Sequence, residues 1–472
     1  MQFTRESPFK ILTRTWKTLL IILVPLISRI FLAPANTMTI IVSAGFNLLF
    51  LILLFVHYVL VWRNTGIGVE SGTIDAERGY WFSRSKHMSV DEMVSLETEK
   101  TVFTALLGAF RVHIRSAAHS KKPDETFFIN RKKLKALRKS FGFHFETSES
   151  IRFKASNKST LIMALSGSNA AAGLLISIPF LRTIGSIVGR DTTGEVYAFL
   201  SERIQEILPF LDAATLMAAT AFFLGWLVNF VDVVFRYSNF YSWRDSKYLF
   251  TRAGLLAQRS MQLAVDKIHV IDIRETLIMH IFGLSSVYLL AEGYEKHREQ
   301  KIPLIPASTI KEQNRVLFQF FPYHSRSVAN IHPSSRDRLK YVYPGIIAAA
   351  AAAFGGIVLT RILPVWARPI SVLTALIMVF ALWYIIIASM TSRRAGLKIC
   401  SDCLIICGMR GLTMHTQKIP RGKLEAISIT QNPFQQMKGL CNIQLCARGI
   451  RPKIICRHLP FEQVREAIRR VR

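Results

Sequence analysis

The stretch Leu424-Glu425-Ala426-Ile427-Ser428-Ile429-Thr430-Gln431-Asn432-Pro433-Phe434, which leads to Gly439-Leu440, decides the fold of this chain. Leu424, Ile427 and Ile429 have the near period-two spacing of a strand with one buried face. The dipeptide Asn432-Pro433 is typical of a turn or a short helical break, and Gly439 suits a position where only a residue without a Cβ fits. The stretch therefore predicts two strands joined by a tight connection.

The same pattern occurs twice more along the chain. Residues with the same spacing, including Ile271 and Ile273, lead to Gly283, and the run 93–103 leads to Gly108. The three glycines lie 175 and 156 residues apart, and the flanking apolar positions keep these offsets. Self-similarity of this kind indicates an internal repeat.

Each copy ends in a predicted helix. In the third copy, Phe461, Val464, Ile468 and Val471 share one helical face. Thr309 and Glu312 form a possible capping box in the second copy, and Asn130 precedes a strongly basic run, 131–139, in the first. Strands followed by a closing helix predict a small antiparallel barrel or sandwich in each copy.

The composition places these copies in a membrane protein. The chain has 472 residues, of which 50% are hydrophobic, and its 60 Lys and Arg against 31 Asp and Glu give a formal net charge of +29. Disordered, collagen-like and disulfide-scaffold classes are excluded by these values. Six predominantly apolar stretches approach the ~20 residues that a bilayer core requires: 18–32, 39–62, 161–181, 213–235, 343–363 and 369–390.

Basic residues predict the orientation of these stretches, because Lys and Arg accumulate in cytoplasmic loops. The predicted cytoplasmic flanks carry Arg63, Lys154, Lys158, Arg236, Lys340, Arg393 and Arg394. We therefore expect a multi-pass membrane protein with both termini in the cytoplasm. Ala33-Pro34-Ala35 resembles a signal-peptidase site, so cleavage after the first stretch is an alternative.

The motif resembles a known family. Ile419-Pro420-Arg421, the spacing of Leu424, Ile427 and Ile429, then Gln431-Asn432-Pro433-Phe434 and Gly439 are similar to the core signature of the bacterial pleckstrin-homology-like (PH-like) domain of the second type. Three such domains, each after a helix pair, resemble the YdbT-type membrane proteins of Gram-positive bacteria. The resemblance implies association with a smaller membrane protein that has one PH-like domain, and a link to envelope stress or antimicrobial-peptide resistance.

We therefore predict a multi-pass α-helical membrane protein with six helices as three hairpins and three cytoplasmic PH-like antiparallel β-barrel domains, each closed by a C-terminal helix. The predicted division is an N-terminal segment with hairpin 1 (1–62), PH-like domain 1 (63–145), hairpin 2 (161–235), PH-like domain 2 (236–325), hairpin 3 (343–390) and PH-like domain 3 (391–472).

The sequence carries no phosphate-loop, nucleophile-elbow or zincin motif, so we expect no enzyme and no cofactor. All six cysteines lie between Cys400 and Cys456, where we expect free thiols. Cys400 and Cys403 suggest a zinc site, but residues three apart in a strand face opposite sides. Small buried hydrophobic side chains are the favoured interpretation, and no metal site is predicted.

Two sets of residues remain as candidates for binding. Asn47, Asn229 and Asp232 lie within predicted spans, where polar groups are costly and often functional. Asp232 stands four residues before Arg236, so an ion pair explains it without transport. The basic run supplies Lys132, Lys133, Lys135, Arg138 and Lys139, which we expect to face anionic lipid headgroups.

We expect a non-enzymatic membrane protein whose PH-like domains bind protein, with anionic phospholipid as a possible further ligand and with oligomerisation also open. Nucleic acid is not expected, because domains tethered to helix pairs already lie beside headgroups. A lipid transporter or flippase with polar residues lining a path is the alternative.

Overall fold

The computed structural model describes residues 4–11, 15, 18, 37–70, 73–78, 80, 84–101, 104–105, 108–117, 125–140, 151–167, 213–294, 302–322, 327–447 and 454–469. The helices are α1 (Thr37–Arg63), α2 (Arg131–Ser140), α3 (Asn157–Gly167), α4 (Ala213–Tyr237), α5 (Leu277–Ile281), α6 (Ile310–Phe320), α7 (Ser335–Arg338), α8 (Tyr343–Ile362), α9 (Ala367–Arg394), α10 (Pro433–Met437) and α11 (Phe461–Arg469).

Twenty-one strands are described, and every strand pair with a given register is antiparallel. They are β1 (Thr4–Arg5), β2 (Gly66–Glu70), β3 (Thr73–Arg78), β4 (Arg84–Ser89), β5 (Met93–Lys100), β6 (Ala109–Ser116), β7 (Glu125–Asn130), β8 (Ile151–Lys154), β9 (Tyr241–Arg244), β10 (Tyr248–Ala253), β11 (Gln258–Ala264), β12 (Ile268–Thr276), β13 (Leu284–Ala291), β14 (Ile302–Thr309), β15 (Ser327–Ile331), β16 (Gly396–Cys400), β17 (Cys403–Arg410), β18 (Thr413–Pro420), β19 (Leu424–Thr430), β20 (Leu440–Ala447) and β21 (Cys456–Pro460).

The chain forms two compact units. The first contains the sheet β1-β2-β3-β4 and the strand order β7-β6-β5-β11-β10. The second contains the hairpin β8-β9, the sheet β14-β13-β12-β18-β17-β16-β15 and the sheet β19-β20-β21. Strands of different repeats therefore share a sheet within each unit.

In every repeat, the first two strands pair across a long intervening segment. Thr4 is opposite Ile67, Phe153 is opposite Ser242, and Ile331 is opposite Leu397. The segments that were predicted to enter the membrane lie between these paired strands.

The cores confirm the strand and closing-helix predictions. In the third repeat, Ile443 and Leu445 are fully buried, and Val464 of α11 packs on them with Phe461 and Ile468. In the second repeat, the Thr309 side chain accepts a hydrogen bond from the Glu312 backbone N–H at the start of α6, which is one half of the predicted capping box. The PH-like β domains are supported by this arrangement.

The prediction of six membrane helices as three hairpins is wrong. In the described part of the chain, three helical segments are long and apolar enough to cross a bilayer: Gly45–Arg63, Tyr343–Ile362 and Ile370–Arg394. These correspond to the second, fifth and sixth predicted stretches. The fourth predicted stretch lies in α4, which is not among these three segments. Nearly all of the first stretch, and the part of the third that follows Gly167, lie outside the described residues. Ala33-Pro34-Ala35 also lie outside them.

The described part of the third predicted stretch covers a β domain. These residues, 161–167, belong to α3 (Asn157–Gly167), and 168–181 lie outside the described residues. Met163 of α3 is buried against Met279, Leu284 and Ala307 of the second repeat. Apolar residues that cover a β domain give the same local signal as apolar residues that face lipid, so hydropathy alone does not separate the two roles.

The helices α8 and α9 pack as a hairpin through small residues. A Cβ on Gly356 would lie 2.7 Å from Thr374 Cγ2, and one on Gly345 would lie 2.7 Å from Ile385 Cγ1. Such close approach is typical of helix contacts in membranes. Most side chains of both helices remain exposed to the surroundings, as lipid-facing helices require.

Candidate functional site

The signature turn has the same geometry in all three repeats. Gly108, Gly283 and Gly439 have φ values of +61°, +64° and +60°. Each follows a short turn whose first residue caps it: the Thr101, Thr276 and Asn432 side chains accept from the backbone N–H groups of Thr104, Met279 and Gln435. In each repeat the signature glycine therefore follows a turn that is capped in the same way.

The third repeat holds this turn with additional amide contacts. The Gln435 side chain returns a hydrogen bond to the Asn432 backbone N–H, which completes a capping box with Pro433 in the first helical turn. Gln431 Nε2 donates to the Leu440 carbonyl at 2.7 Å, and Gln435 Nε2 donates to Asn442 Oδ1 at 2.8 Å. The Gln-Asn-Pro signature is thus a structural lock, while Phe434 points outward with 76% exposure.

Each described junction between repeats is a strand pair. We call β4, β11 and β18 the donor strands and β5, β12 and β19 the acceptor strands. In the first unit, the acceptor strand β5 of the first repeat pairs with the donor strand β11 of the second repeat. In the second unit, the acceptor strand β12 of the second repeat pairs with the donor strand β18 of the third repeat.

Polar side chains connect the first junction. The Arg259 guanidinium contacts Glu99 Oε1 at 3.0 Å, and Arg111 lies 3.3 Å from the other carboxylate oxygen. Thr98 and Ser260 share a hydroxyl hydrogen bond of 2.5 Å. These contacts fix which residues are opposite each other, because a shift by one residue would turn every side chain to the other face.

The second junction is built on a buried carboxylate. His415 Nδ1 lies 3.0 Å from Asp272 Oδ1, and Arg274 contacts the second oxygen of Asp272 at 2.6 Å. Burial acts to raise the pKa of Asp272, but the hydrogen bond and charge of His415 and the Arg274 guanidinium outweigh it, so this pKa lies below its ordinary value. Asp272 is therefore an ionised carboxylate held between donor and acceptor strands at neutral pH.

One of the long apolar helices is attached to the same junction. Arg394, in the last turn of α9, contacts Glu275 Oε2 at 2.9 Å, and His280 Nδ1 lies 3.0 Å from the same oxygen. Glu275 lies on the acceptor strand β12, next to the capping residue Thr276. The helix hairpin that precedes the third repeat is thus tied to the second repeat.

Both junctions have the same register. Leu96 is opposite Gln262 in the first and Ile271 is opposite Lys418 in the second. These pairs are equivalent when the acceptor strands are aligned on their signature glycines and the donor strands are aligned on the turns that follow them, Val265–Lys267 and Arg421–Lys423. Equal register at two sites indicates a specific mode of association and not a fortuitous contact of edges.

The third acceptor strand is different. Most residues of β5 and β12 are buried, whereas all seven residues of β19 are exposed or half-buried. Among the described strands, β19 stands at the end of its sheet, with β20 as its neighbour. Two acceptor strands are thus paired with a donor strand, and we call these junctions occupied; the third acceptor strand, β19, has an exposed edge. In β19, Ile427 is half-buried and Ile429 is 37% exposed.

The basic candidates divide into two groups. Lys132 and Lys135 of α2 are exposed and Lys133 is half-buried, while the side chain of Lys139 lies outside the described residues. Arg138 lies against the sheet, where its Nη2 donates to Thr98 Oγ1 at 3.3 Å. Burial lowers the pKa of the Arg138 guanidinium to about 10, so it remains a cation at neutral pH. Lys132 and Lys135 are therefore the members of this run best placed to reach a charged surface.

The candidate polar residues of the predicted spans are each placed within a helix. Asn47 is half-buried in α1 and Asn229 is half-buried in α4. Asp232 is exposed and accepts from Arg236 Nη2 at 2.6 Å, in the ion pair that the four-residue spacing predicts. The pair satisfies the carboxylate within one helix.

The cysteines are free thiols, five of them buried. Burial raises the pKa of Cys441 to about 11 and that of Cys456 to about 12, with the charge of Cys407 adding to the latter. Protonated thiols bind metal weakly. In the described part of the chain, no group of three or more His, Cys, Asp and Glu side chains is placed to hold a metal ion.

Sequence reasoning missed the junction residues. Asp272 and His415 lie 143 residues apart, and Thr98 and Ser260 lie 162 apart. No local spacing connects such pairs. The available signal was the repeat itself, since the acceptor strand coincides with the signature that was identified in each copy.

Comparisons with known proteins agree with this architecture. Residues 19–142, 196–318 and 345–472 match the family described as "Bacterial PH domain". The chain is also similar to the UPF0699 transmembrane protein YdbT of Bacillus subtilis (strain 168), with 21% identity over 323 residues. That match covers 61% of this chain and 62% of the relative, which is less than two thirds of its length. No solved structure matches.

Proposed function

This chain belongs to the bacterial PH domain family, with three copies in one membrane protein, and from this premise we propose that it is a non-enzymatic scaffold whose PH-like domains bind protein through their strand edges. The observation that carries the proposal is the pairing of acceptor and donor strands at the two occupied junctions. Adding a strand to a sheet edge is a general mode of protein recognition, in which main-chain hydrogen bonds supply affinity and side chains supply specificity.

The proposed partner is a smaller membrane protein with one PH-like domain, in a complex linked to envelope stress or antimicrobial-peptide resistance. This part of the proposal is supported by the family resemblance. The strand junctions add a physical rationale, because a PH-like domain in a second protein brings the same two kinds of edge.

Anionic phospholipid is a proposed additional ligand. The chain has a net charge of +29, and exposed Lys132 and Lys135 lie on a helix at the surface of the first repeat. Each basic residue close to an anionic membrane surface contributes roughly 1 kcal/mol. We propose that these residues hold the first repeat against the cytoplasmic leaflet, with both termini in the cytoplasm.

The contacts of Asp232 do not favour a role in transport. Asp232, the charged candidate for a lipid path, is paired with Arg236 at the end of α4. The substitutions Asn47→Ala, Asn229→Ala and Asp232→Ala are expected to leave complex formation intact. Loss of the complex or of resistance in these variants would favour the transporter.

The test is affinity purification of the full-length chain in mild detergent, followed by mass spectrometry of protein and lipid. The expected result is one stoichiometric small membrane protein with a PH-like domain. A single enriched lipid without any protein partner would contradict the scaffold. Lys132→Gln together with Lys135→Gln should reduce co-purifying anionic lipid without loss of the protein partner.

A further inference from the structure

The exposed acceptor strand β19 has two occupied counterparts in the same chain. Ser95 of β5 and Val270 of β12 are 1% and 0% exposed. Val270 packs within the core that contains Leu397 and Ile419 of the third repeat, although it belongs to the second. Ala426, at the equivalent position of β19, is exposed. The position is therefore covered wherever a following repeat supplies a donor strand.

The composition of β19 suits a covered strand better than a free edge. Its sequence, LEAISIT, contains one charged residue and no proline or lysine. Natural sheets protect exposed edges with lysine, proline, bulges or short strands. β19 has one bulge, between Leu424 and Ala426, but β5 and β12 have a bulge at the equivalent position and still pair with donor strands. The edge of β19 is therefore a template for pairing with another strand.

One donor strand ends its sheet in the same way. β4 lies at the end of the sheet β1-β2-β3-β4. The turn Val90–Glu92 follows it, as Val265–Lys267 follows β11 and Arg421–Lys423 follows β18. Met88 is buried in the core of the first repeat, as Leu263 and Ile419 are at the equivalent positions of the other donor strands. The strand β4 thus has the same features as the two paired donor strands.

We propose that β19 binds the β4 edge of a second copy of this chain, so that copies associate head to tail through a third junction of the same kind. The second copy is the occupant because it presents a complete donor strand with the matching turn and buried anchor. This inference rests on the proposed use of strand edges for protein binding.

The shared register of the two occupied junctions specifies the third. Transferred onto β19 and β4, it places Ser428 opposite Lys86, Ile427 opposite His87 and Thr430 opposite Arg84, in antiparallel pairing. Opposite residues of an antiparallel pair have Cα atoms about 4.5–5.5 Å apart, within the range of about 4.4–6.8 Å that a disulfide spans.

The test uses two differently tagged full-length chains, one with Ser428→Cys and the other with Lys86→Cys, co-expressed and oxidised in membranes. The expected product is a cross-linked dimer that carries both tags. Thr430→Cys with Arg84→Cys should give the same product. The matched control pairs Ser428→Cys with Ser85→Cys, whose side chain leaves the sheet on the opposite face; unsubstituted chains report the background from native thiols.

The proposal is overturned if neither register-matched pair gives more product than the control, or if the thiol introduced by Ser428→Cys cross-links to a protein other than this chain. Ser428→Pro, which removes one backbone N–H of β19, should lower the mass of the detergent-solubilised assembly. Failure of the cross-links contradicts self-association alone, whereas absence of a co-purifying small membrane protein contradicts the proposed complex alone.

Discussion

Backbone conformation, and not space, restricts the residue at the end of each signature turn. Gly439 has a φ of +60°, and no atom lies within 4 Å of the position that a Cβ would occupy. The left-handed conformation costs other residues roughly 1–2 kcal/mol. The same applies to Gly108 and Gly283, so one conformational requirement explains why a glycine marks each copy.

Gly439→Ala is therefore expected to lower the free energy of unfolding by about 1 kcal/mol without a steric clash. Thermal unfolding in mild detergent, followed by far-ultraviolet circular dichroism, measures the change. Gly422→Ala is the matched control, because Gly422 also has open space but lacks a positive φ. Equal effects of the two substitutions would show that the turn does not require the left-handed conformation.

Asp272 gives the second junction a predicted dependence on pH. Its folded-state pKa lies below the ordinary value of about 3.9, so its stabilising contribution is present above that value and is lost as the pH falls through the folded pKa. Asp272→Asn should lower the midpoint of thermal unfolding at pH 7 and make it less sensitive to acid below about pH 4. Glu425→Gln on the exposed β19 serves as control. If the Asp272→Asn variant had the same acid sensitivity as the unsubstituted chain, the assignment of Asp272 as the acid-sensitive group would be contradicted.

At the scale of elements, periodicity identified strands and closing helices better than it identified membrane spans. The period-two pattern around Ile427 and Ile443 and the helical face of Val464 all correspond to elements of the structure. The apolar run that begins at Leu161 is described as far as Gly167, and there Met163 packs on the β domain. A buried amphipathic strand has a distinctive pattern, whereas apolar helices share one hydropathy whatever they face.

The α8–α9 hairpin provides a test at this scale. Gly356→Leu should disrupt the close approach to Thr374 and reduce the yield of folded protein in membranes, since the adjacent helix backbone cannot easily move away. Gly355→Leu is the matched control, because nothing lies within 4 Å of that position. Fluorescence-detected gel filtration of solubilised membranes measures both, and similar yields would argue against the tight helix contact.

At the scale of the whole molecule, strand pairing constrains how the chain meets the membrane. Ile331 pairs with Leu397 at the two ends of the α8–α9 hairpin, and Phe153 pairs with Ser242 across the segment between them, so we expect the paired strands to lie on one side of the membrane. The basic flanks Arg236, Arg393 and Arg394 favour the cytoplasm for that side.

Reporter insertions after residues 120, 297 and 450 are therefore all expected to report a cytoplasmic location. Green fluorescent protein should be fluorescent at each site, and alkaline phosphatase inactive. An active phosphatase at any one of the three would show that a strand-bearing segment lies across the bilayer and would contradict the topology.

The sequence by itself determined the repeat, the signature glycines, the strands beside them and the closing helices, because each depends on local spacing and backbone conformation. It also placed the chain in a membrane through long apolar runs and lopsided charge. Only the tertiary structure decided which strands share a sheet. Main-chain hydrogen bonds between edges carry no mark in local sequence, so the junction of Asp272 with His415 and the exposed edge of β19 became visible only when distant repeats were brought together.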